Sequence, residues 1–328
     1  MKAVVFEKYG PPDVLAMKEI EKPVPKGNEV LIKIHASSIT AADWRMRKPE
    51  PFMVRMMTGL FKPKKFNILG IELSGVVEEI GNEVTLFNPG DEIFGTTGFT
   101  FGAYAEYVCL PEKRPDSEEG SITHKPSNLN FGEAAIVPVG LDTALFFLRN
   151  QGNIQSGQKI LIYGASSSVG SYAVQLAKHY GAEVTAVCST SNLDWVKDLG
   201  ADKMIDYKTT DFTQSSETYD LIFDAVGKLS LSGSMKALKE EGIFLDAVHM
   251  LRRSVQAKFA TRGSKKKILG DSAKGTLEDL IYIKELVEAG KIKPVIDRTY
   301  ALEEIVEATR YVETGRKKGN VIISIDHQ

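Results

Sequence analysis

Cysteine is scarce: Cys109 and Cys188 are the only two in 328 residues. Two thiols so far apart build neither a disulfide framework nor a C-x-x-C metal knuckle, and they point to a reducing compartment. Charge of one sign is also lacking, since 41 Lys and Arg face 43 Asp and Glu. The net charge of −2 supplies no global field to hold a polyanion by counterion release, which excludes a nucleic-acid partner. Long apolar runs are missing. The most apolar stretch, Ala134 to Leu148, is broken by Pro138 and Asp142 and falls short of the roughly 20 residues needed to cross a bilayer. The opening Met1 to Lys8 places Glu7 after a very short apolar run, so it reads as a first strand and not as the core of a signal peptide. A cytoplasmic location without membrane contact is expected. The five histidines, His35, His124, His179, His249 and His327, show no H-x-x-x-H spacing and read as surface or strand residues, not metal ligands.

What the sequence holds is enough chain for two cores, because 328 residues exceed the ordinary size of one domain. Up to about Arg114 it shows short β-rich segments, such as Val30-Leu31-Ile32-Lys33-Ile34 and Glu72-Leu73-Ser74-Gly75-Val76-Val77, punctuated by Gly and Pro. That pattern predicts a compact, barrel-like β domain. Residues Pro111 to Asn130 read as a polar connection. A helix over Phe131 to Asn150, bent or restarted at Pro138, then leads into regular alternation. Strands are expected over Lys159 to Tyr163, Glu183 to Val187, Lys203 to Asp206, Tyr219 to Asp224 and Gly242 to Ala247. Helices are expected over Val169 to Tyr180, Leu193 to Leu199 and Ser230 to Lys239. Such alternation builds a parallel, doubly wound sheet. After a long helix near Thr276 to Ala289, the mixed segment Pro294 to Asp326 is assigned back to the first domain.

The segment Ile160-Leu161-Ile162-Tyr163-Gly164-Ala165-Ser166-Ser167-Ser168-Val169-Gly170 runs from a buried strand through small residues directly into a helix. Such a turn aims the first N–H groups of the helix at whatever lies over it, and it suits a pyrophosphate. Of the G-x-G-x-x-G pattern only Gly170 survives, with Ala165 and Ser167 in the other glycine places, so a tight turn without a ligand stays open on the motif alone. The next strand ends Cys188-Ser189-Thr190-Ser191-Asn192, without the carboxylate that takes the adenosine ribose of NAD. Hydroxyl residues there leave room for a 2′-phosphate, which favours NADPH over NADH. Tyr207 is open to two readings, adenine stacking or packing on its neighbours.

Several further motifs stand in order: Ile68-Leu69-Gly70-Ile71-Glu72-Leu73-Ser74-Gly75, Pro89-Gly90-Asp91-Glu92-Ile93-Phe94-Gly95, Gly102-Ala103-Tyr104-Ala105-Glu106-Tyr107, Leu199-Gly200-Ala201-Asp202, Phe223-Asp224-Ala225-Val226-Gly227 and Lys318-Gly319-Asn320-Val321. With them the chain resembles, over essentially its whole length, the zinc-independent branch of the medium-chain dehydrogenases and reductases, the NADPH:quinone oxidoreductase-like proteins. The resemblance implies an α/β fold, with a doubly wound parallel Rossmann sheet over 126–291. Beside it stands a chaperonin-10-like (GroES-like) β domain over 1–125, completed by 292–328. It places Ser166, Ser167, Ser168, Val169 and Gly170 at the pyrophosphate, with Ser167 where glycine is common. Ser189, Asn192 and Tyr207 fall at the adenosine end, and Ala225, Val226 and Gly227 at the nicotinamide riboside. Lys318 and Asn320 join the cofactor set, the nicotinamide lies under Thr143, and a homodimer through the nucleotide domain is the family habit.

Zinc-dependent members hold catalytic metal with a Cys, a His and a Cys, and the matching positions here are Thr40, Ile71 and Val139, so a reaction without zinc is expected. Hydride delivery to a carbonyl or an enone leaves negative charge on oxygen. Thr40, in the loop Ser37 to Arg45, either donates a hydrogen bond to that oxygen or bonds local backbone. Asp43 reads more readily as a helix cap than as a base. Thr40, Asp43 and Thr143 are the catalytic candidates. Quinones depend least on a protein acid, because their reduced anion is delocalised, so quinones or related α,β-unsaturated carbonyls are the expected acceptors. A 2-enoyl thioester reductase of the same fold, or an NADPH-binding protein with little turnover, are the alternatives. The segment Pro49 to Phe66, with Phe52, Met53, Met56, Met57, Leu60 and Phe61, is either an adaptable lid or an ordinary helical insertion. The basic run Arg252, Arg253, Lys258, Arg262, Lys265, Lys266 and Lys267 is either a solvated face or an attractor for phosphates.

Overall fold

The computed structural model describes residues 1–49, 55, 59–63, 67–113, 120–248, 260–273 and 275–327. Packing divides the chain into unit 1 (1–139, 274–288 and 296–328) and unit 2 (140–273 and 289–295).

Unit 1 begins with an antiparallel pair, β1 (Lys2–Phe6) and β2 (Leu15–Glu19). It continues through β3 (Glu29–Ser38), β4 (Glu72–Ile80), β5 (Glu92–Thr96), β6 (Tyr107–Pro111) and β7 (Ile122–His124). β4 lies between β3 and β5, β7 flanks β5, and β6 pairs with β3, all antiparallel. Alternate residues of these strands, among them Ile32, Ile34, Leu73 and Ile93, point into one fully buried cluster, the period-2 burial of a sheet with one face on a core.

Unit 2 contributes β8 (Lys159–Tyr163), β9 (Glu183–Cys188), β10 (Lys203–Asp206), β11 (Tyr219–Asp224), β12 (Leu238–Asp246) and β13 (Lys267–Leu269). Among the described residues they form one sheet in the order β10-β9-β8-β11-β12-β13, every pair parallel. This is the doubly wound strand order. Ile160, Leu161 and Ile162 are all fully buried, as expected where helices cover both faces of a parallel sheet. The chain then returns to unit 1, where β14 (Ile296–Ala301) lies parallel to β15 (Asn320–Ser324), and β15 pairs antiparallel with β3.

The helix expected across Phe131 to Asn150 is broken at Pro138. Phe131–Ala135 is closed at its start by Asn130, whose Oδ1 accepts from Glu133 N at 2.9 Å. A second helix begins at Pro138, where the missing N–H is harmless, and runs as Pro138–Leu145 before a wider turn, Phe146–Gln151. Three details differ from the sequence reading. The polar connection contains β7, too short to show an alternation. β12 starts at Leu238, directly after the helix Leu231–Ala237, with a register shift before it rejoins β11. Residues 126–139 and 275–288 pack with unit 1, not with the nucleotide sheet. Ala135 and Ile136 share a cluster with Ala36 and Ile322, and Asn128 Nδ2 donates to Val287 O at 2.9 Å, which ties the helix Leu277–Glu288 to the same unit. Among the described residues no helix is long and apolar enough to cross a membrane.

Candidate functional site

In unit 2 the strand order reverses between β8 and β11, the switch point where open α/β sheets take ligands at the carboxyl ends of their strands. The turn after β8 lies there. Gly164 has φ of +78° and Gly170 opens the helix Ser168–His179. A Cβ on Gly170 would stand 2.1 Å from Gly164 O and 2.8 Å from Ala165 Cα. Only glycine lets this helix start so close to the strand, which leaves a cradle of backbone for an anion. The glycine that makes the turn is therefore Gly164, one position before the place assigned to Ala165. Ser167 fills its glycine place with a cap, its Oγ accepting from Gly170 N at 3.0 Å. Ser166, Ser168 and Val169 are half-buried around it.

The turn after β11 abuts this one, since a Cβ on Gly164 would meet Val226 Cγ1 at 2.7 Å. Asp224, fully buried, shapes it: Oδ1 accepts from Val226 N (3.2 Å) and Gly227 N (2.8 Å), and Oδ2 from Leu229 N (2.8 Å). Ala225 N donates to Tyr163 O at 3.1 Å. Thr143 sits on the helix Pro138–Leu145, whose Gly140 lies against the start of the helix Ser168–His179, since a Cβ there would stand 2.9 Å from Ser168 Oγ. At the other side of β8, Asn192 Nδ2 donates to Ser189 Oγ at 3.2 Å. Tyr207, half exposed, follows β10, its N–H donating to Cys188 O at 3.2 Å and its ring 6.2 Å from that of Tyr163. Unit 2 thus gathers Ser166–Gly170, Ser189, Asn192, Tyr207 and Ala225–Gly227 at the carboxyl edge of one sheet.

A carboxylate that sequence reasoning missed stands at this edge. Asp206 pairs with Cys188 in register and accepts from the hydroxyl of Thr190, beside Ser189, and from Lys208 N at 2.9 Å. The Thr190 hydroxyl and the Lys208 amide hold its carboxyl below the usual range, so it is charged at neutral pH.

Unit 1 gathers a second cluster. Asp43 lies buried in the first turn of the helix Ala41–Arg47. Its Oδ2 accepts from Thr40 N and Thr40 Oγ1, both at 2.7 Å, and Oδ1 from Gly70 N at 2.8 Å. The single hydroxyl proton of Thr40 is therefore directed at Asp43, not outward, and Asp43 fixes a loop. Burial still leaves the Asp43 carboxyl above its usual range. Glu72, which sequence reasoning also missed, is buried at the start of β4; Ser38 Oγ donates to one carboxylate oxygen and Val139 N to the other at 2.7 Å. Burial pushes its carboxyl up to about 7, against the pull of these donors, while Asp43 pushes the same way and Lys317 opposes it. Lys317 Nζ donates to Gly319 O at 2.7 Å, and burial brings the ammonium down to about 8 against the fields of Glu72 and Asp297. Tyr104 closes the group, its hydroxyl donating to Ser38 O at 3.0 Å. Lys318, exposed, and Asn320, buried, lie in unit 1 at the turn into β15, with Lys318 N donating to Asp297 Oδ2 at 3.0 Å.

An acid inside the apolar run Ile71-Glu72-Leu73 was a usable signal for Glu72. Lys317, between Arg316 and Lys318, gave none. Thr40, Ile71 and Val139 do not fit zinc, because the side chains of Ile71 and Val139 offer no donor atom. Nor, among the described residues, does any group of three or more His, Cys, Asp or Glu stand where it could hold a metal ion. Phe52, Met53, Met56 and Met57 lie outside the described residues, as do Arg252, Arg253 and Lys258. Of the rest, Leu60 and Phe61 are exposed. Lys265 pairs with Glu241 at 2.9 Å, and Lys266 Nζ donates to Met235 O at 2.6 Å.

Residues 26–115 match the alcohol dehydrogenase GroES-like domain family, and residues 199–323 the zinc-binding dehydrogenase family. The chain is 33% identical to 2-methylene-furan-3-one reductase of Solanum lycopersicum, over 98% of its own length and 79% of that protein's. It is also 33% identical to a mitochondrial NAD(P)H oxidoreductase of Bos taurus, over 99% and 89%. The solved quinone oxidoreductase from Coxiella burnetii superimposes with a TM-score of 0.88 at 32% identity, covering 99% of each chain. Likeness of this extent, joined to the doubly wound sheet and the GroES-like unit, places the chain in the medium-chain dehydrogenase/reductase superfamily, among its quinone-oxidoreductase-like members, as a nicotinamide-dependent oxidoreductase.

Proposed function

We propose that this chain transfers hydride from NADPH to quinones or related α,β-unsaturated carbonyls, without zinc, as a homodimer in the cytoplasm. The observation that carries the reading is the close approach of Gly170 to Gly164 at the strand-order reversal, which opens a backbone cradle for a dinucleotide. The nicotinamide, when bound, supplies the hydride. Ser166, Ser167, Ser168, Val169 and Gly170 hold the pyrophosphate, and Ser189, Asn192 and Tyr207 the adenosine end. Ala225, Val226 and Gly227, fixed by Asp224, border the nicotinamide riboside, with Thr143 against it. Lys318 and Asn320 complete the cofactor set.

Preference for NADPH rests on the uncharged end of β9. Asp206 opposes it, and the charge of Lys208 nearby works against Asp206. Quinones are favoured because the acids of unit 1 are buried and already bonded, and Thr40 spends its proton on Asp43. An acceptor whose reduced anion is delocalised can then be protonated by solvent. The Coxiella relative is a quinone oxidoreductase and the tomato relative a 2-methylene-furan-3-one reductase, in line with these two acceptor classes. The cytoplasmic assignment rests on Cys109 and Cys188 both being free thiols, and the homodimer on family habit.

The test is titration with NADPH and with NADH, followed by addition of benzoquinone, phenanthrenequinone or an enal. Tighter NADPH binding and acceptor-dependent oxidation are expected. Turnover only with crotonyl-CoA would replace the quinone reading by that of a 2-enoyl thioester reductase. Binding without turnover across all acceptors would leave a cofactor-binding protein.

A further inference from the structure

Beyond the end of β9 the chain runs Ser189-Thr190-Ser191-Asn192, and the protons of these side chains do not all point the same way. A short 3-10 turn, Thr190–Asn192, folds the segment back, with Asn192 N donating to Ser189 O at 2.8 Å. The fold-back brings Asn192 Nδ2 to 3.2 Å from Ser189 Oγ. The helix Leu193–Asp198 follows at once and sets Trp195 Nε1 3.2 Å from Asn192 Oδ1. Asn192 is buried and Trp195 half-buried between these contacts.

An indole N–H can only donate. It therefore selects one of the two orientations of the Asn192 amide, with Oδ1 toward Trp195 and the NH2 group toward Ser189; the reverse would set two donors against each other. An amide NH2 also only donates, so Ser189 Oγ accepts from it and the Ser189 proton leaves in another direction. Among the described residues Ser191 Oγ stands nearest for that proton, at 3.4 Å, longer than an ordinary O–H···O bond. Thr190 is the opposite case. Its hydroxyl donates to Asp206 and shows an incoming anion lone pairs only.

We propose that Trp195 is a positioning residue for the 2′-phosphate of NADPH: through the Asn192 amide it keeps the Ser189 hydroxyl a donor toward that phosphate. The proposal rests on the NADPH reading above and concerns unit 2 alone. Without the indole N–H the amide can turn over, accept the Ser189 proton on Oδ1 and leave an oxygen lone pair to meet the anion. With the Asp206 carboxylate already next door, the polarity of this one hydroxyl weighs on whether the corner attracts the phosphate or repels it. The ribose hydroxyl of NADH both donates and accepts, so it can pair with Ser189 in either state.

The experiment is calorimetric titration of the full chain with 2′,5′-ADP and with 5′-AMP, which differ only in the 2′-phosphate. Wild type, Trp195→Phe, Ser189→Ala and the double variant are compared. Phe keeps an aromatic ring in place and removes the donor. Trp195→Phe is expected to weaken 2′,5′-ADP about twofold if the two amide orientations become equally populated, and up to about tenfold if the hydrogen bond is lost outright, with 5′-AMP unchanged. In the Ser189→Ala background it should cost nothing further, because the relay has lost its last member. A second readout leaves Trp195 in place. The chain has two tryptophans, so Trp44→Phe identifies the Trp195 indole N–H resonance. That resonance should shift with 2′,5′-ADP beyond its shift with 5′-AMP, and the excess should vanish in Ser189→Ala.

Equal losses for both nucleotides in Trp195→Phe, or an undiminished loss of 2′,5′-ADP in the Ser189→Ala background, overturn this proposal and leave the NADPH reading standing. If Trp195→Phe fails to fold, an indole shift that is the same for both nucleotides overturns it alone. Ser189→Ala binding 2′,5′-ADP as tightly as wild type overturns the placing of the 2′-phosphate, and this role with it.

Discussion

Replacing Gly170 with Ala tests the cradle with the smallest possible side chain. The added Cβ would stand 2.1 Å from Gly164 O and 2.8 Å from Ala165 Cα, whereas real Cβ contacts essentially never fall below 3.0 Å. Neither neighbour is a flexible side-chain end. Gly164 N donates to Val187 O at 3.0 Å, and Gly164 O accepts from Ser167 N at 2.9 Å, so the turn is pinned to β9 and to the helix start. The helix must therefore retreat by roughly 0.9 Å, the difference between 3.0 and 2.1 Å. Overpacking of this kind costs about 1–3 kcal/mol, and the better helix propensity of Ala returns about 1 kcal/mol of it. The fold should survive with a small loss of stability. Cofactor binding should suffer more, because displacements near 1 Å at a functional centre cost on the order of 100-fold. The assay is NADPH titration by nucleotide fluorescence beside urea unfolding of the same variant. A variant that binds NADPH as tightly as wild type would refute the close-approach argument, and Gly170→Leu should abolish binding of both cofactors.

Asp206→Asn removes the carboxylate beside Ser189 and should improve NADPH binding relative to NADH; an unchanged ratio of dissociation constants would mean that Asp206 does not face the 2′-phosphate. Asp224→Asn keeps the acceptor for Gly227 N but turns an NH2 group toward Leu229 N, now bonded at 2.8 Å, so urea unfolding should show a loss on the order of 2–3 kcal/mol from a buried donor left unmatched. Glu72→Gln should change how stability depends on pH. A carboxyl raised from 4.5 to about 7 holds its proton more tightly in the folded chain, so its stabilising effect is complete below 4.5 and lost as pH rises through about 7. At ~1.4 kcal/mol per pH unit the loss is at most about 3.5 kcal/mol, and Gln should remove that slope; parallel wild-type and variant curves from pH 5 to 8 would count against it. Lys317, lowered from 10.5 to about 8, has the opposite sign and restores stability as pH rises from 8 toward 10.5.

The parallel sheet was legible because its strands carry their own boundaries. Lys203–Asp206 and Tyr219–Asp224 are apolar runs closed by charge or a turn, and both stand where the pattern put them. Pro138 announced a break by its missing donor. β7 was not legible, since three residues cannot show an alternation and its pairing with β5 is a tertiary fact. Glu72 and Asp206 were visible as residues but not as site members. Their positions depend on register, Asp206 against Cys188 and the start of β4 against the end of β3, and register between distant segments is not written in either segment alone. Lys317 is the extreme case. Nothing in the run Arg316-Lys317-Lys318 sets its middle residue apart, and only the turn into β15 brings one ammonium inward while Lys318 stays exposed.

The serine-rich turn shows how a weak motif can sit on a strong geometry. A fingerprint counts glycines, but the physical requirement differs from one glycine to the next. Gly164 must take φ of +78° and leave room for Val226, and Gly170 must let the helix reach the strand; both are still glycine. Ser167 stands in the place where nothing in the backbone demands glycine: its φ is −78°, and its hydroxyl supplies the helix cap. A serine there satisfies one N–H of the first turn, which in its absence would be left for the anion. The substitutions that weaken the sequence match therefore spare the two positions on which close approach depends. What Ser167 alters is how many N–H groups of the helix start the protein's own cap takes up and how many it would leave to the pyrophosphate proposed above.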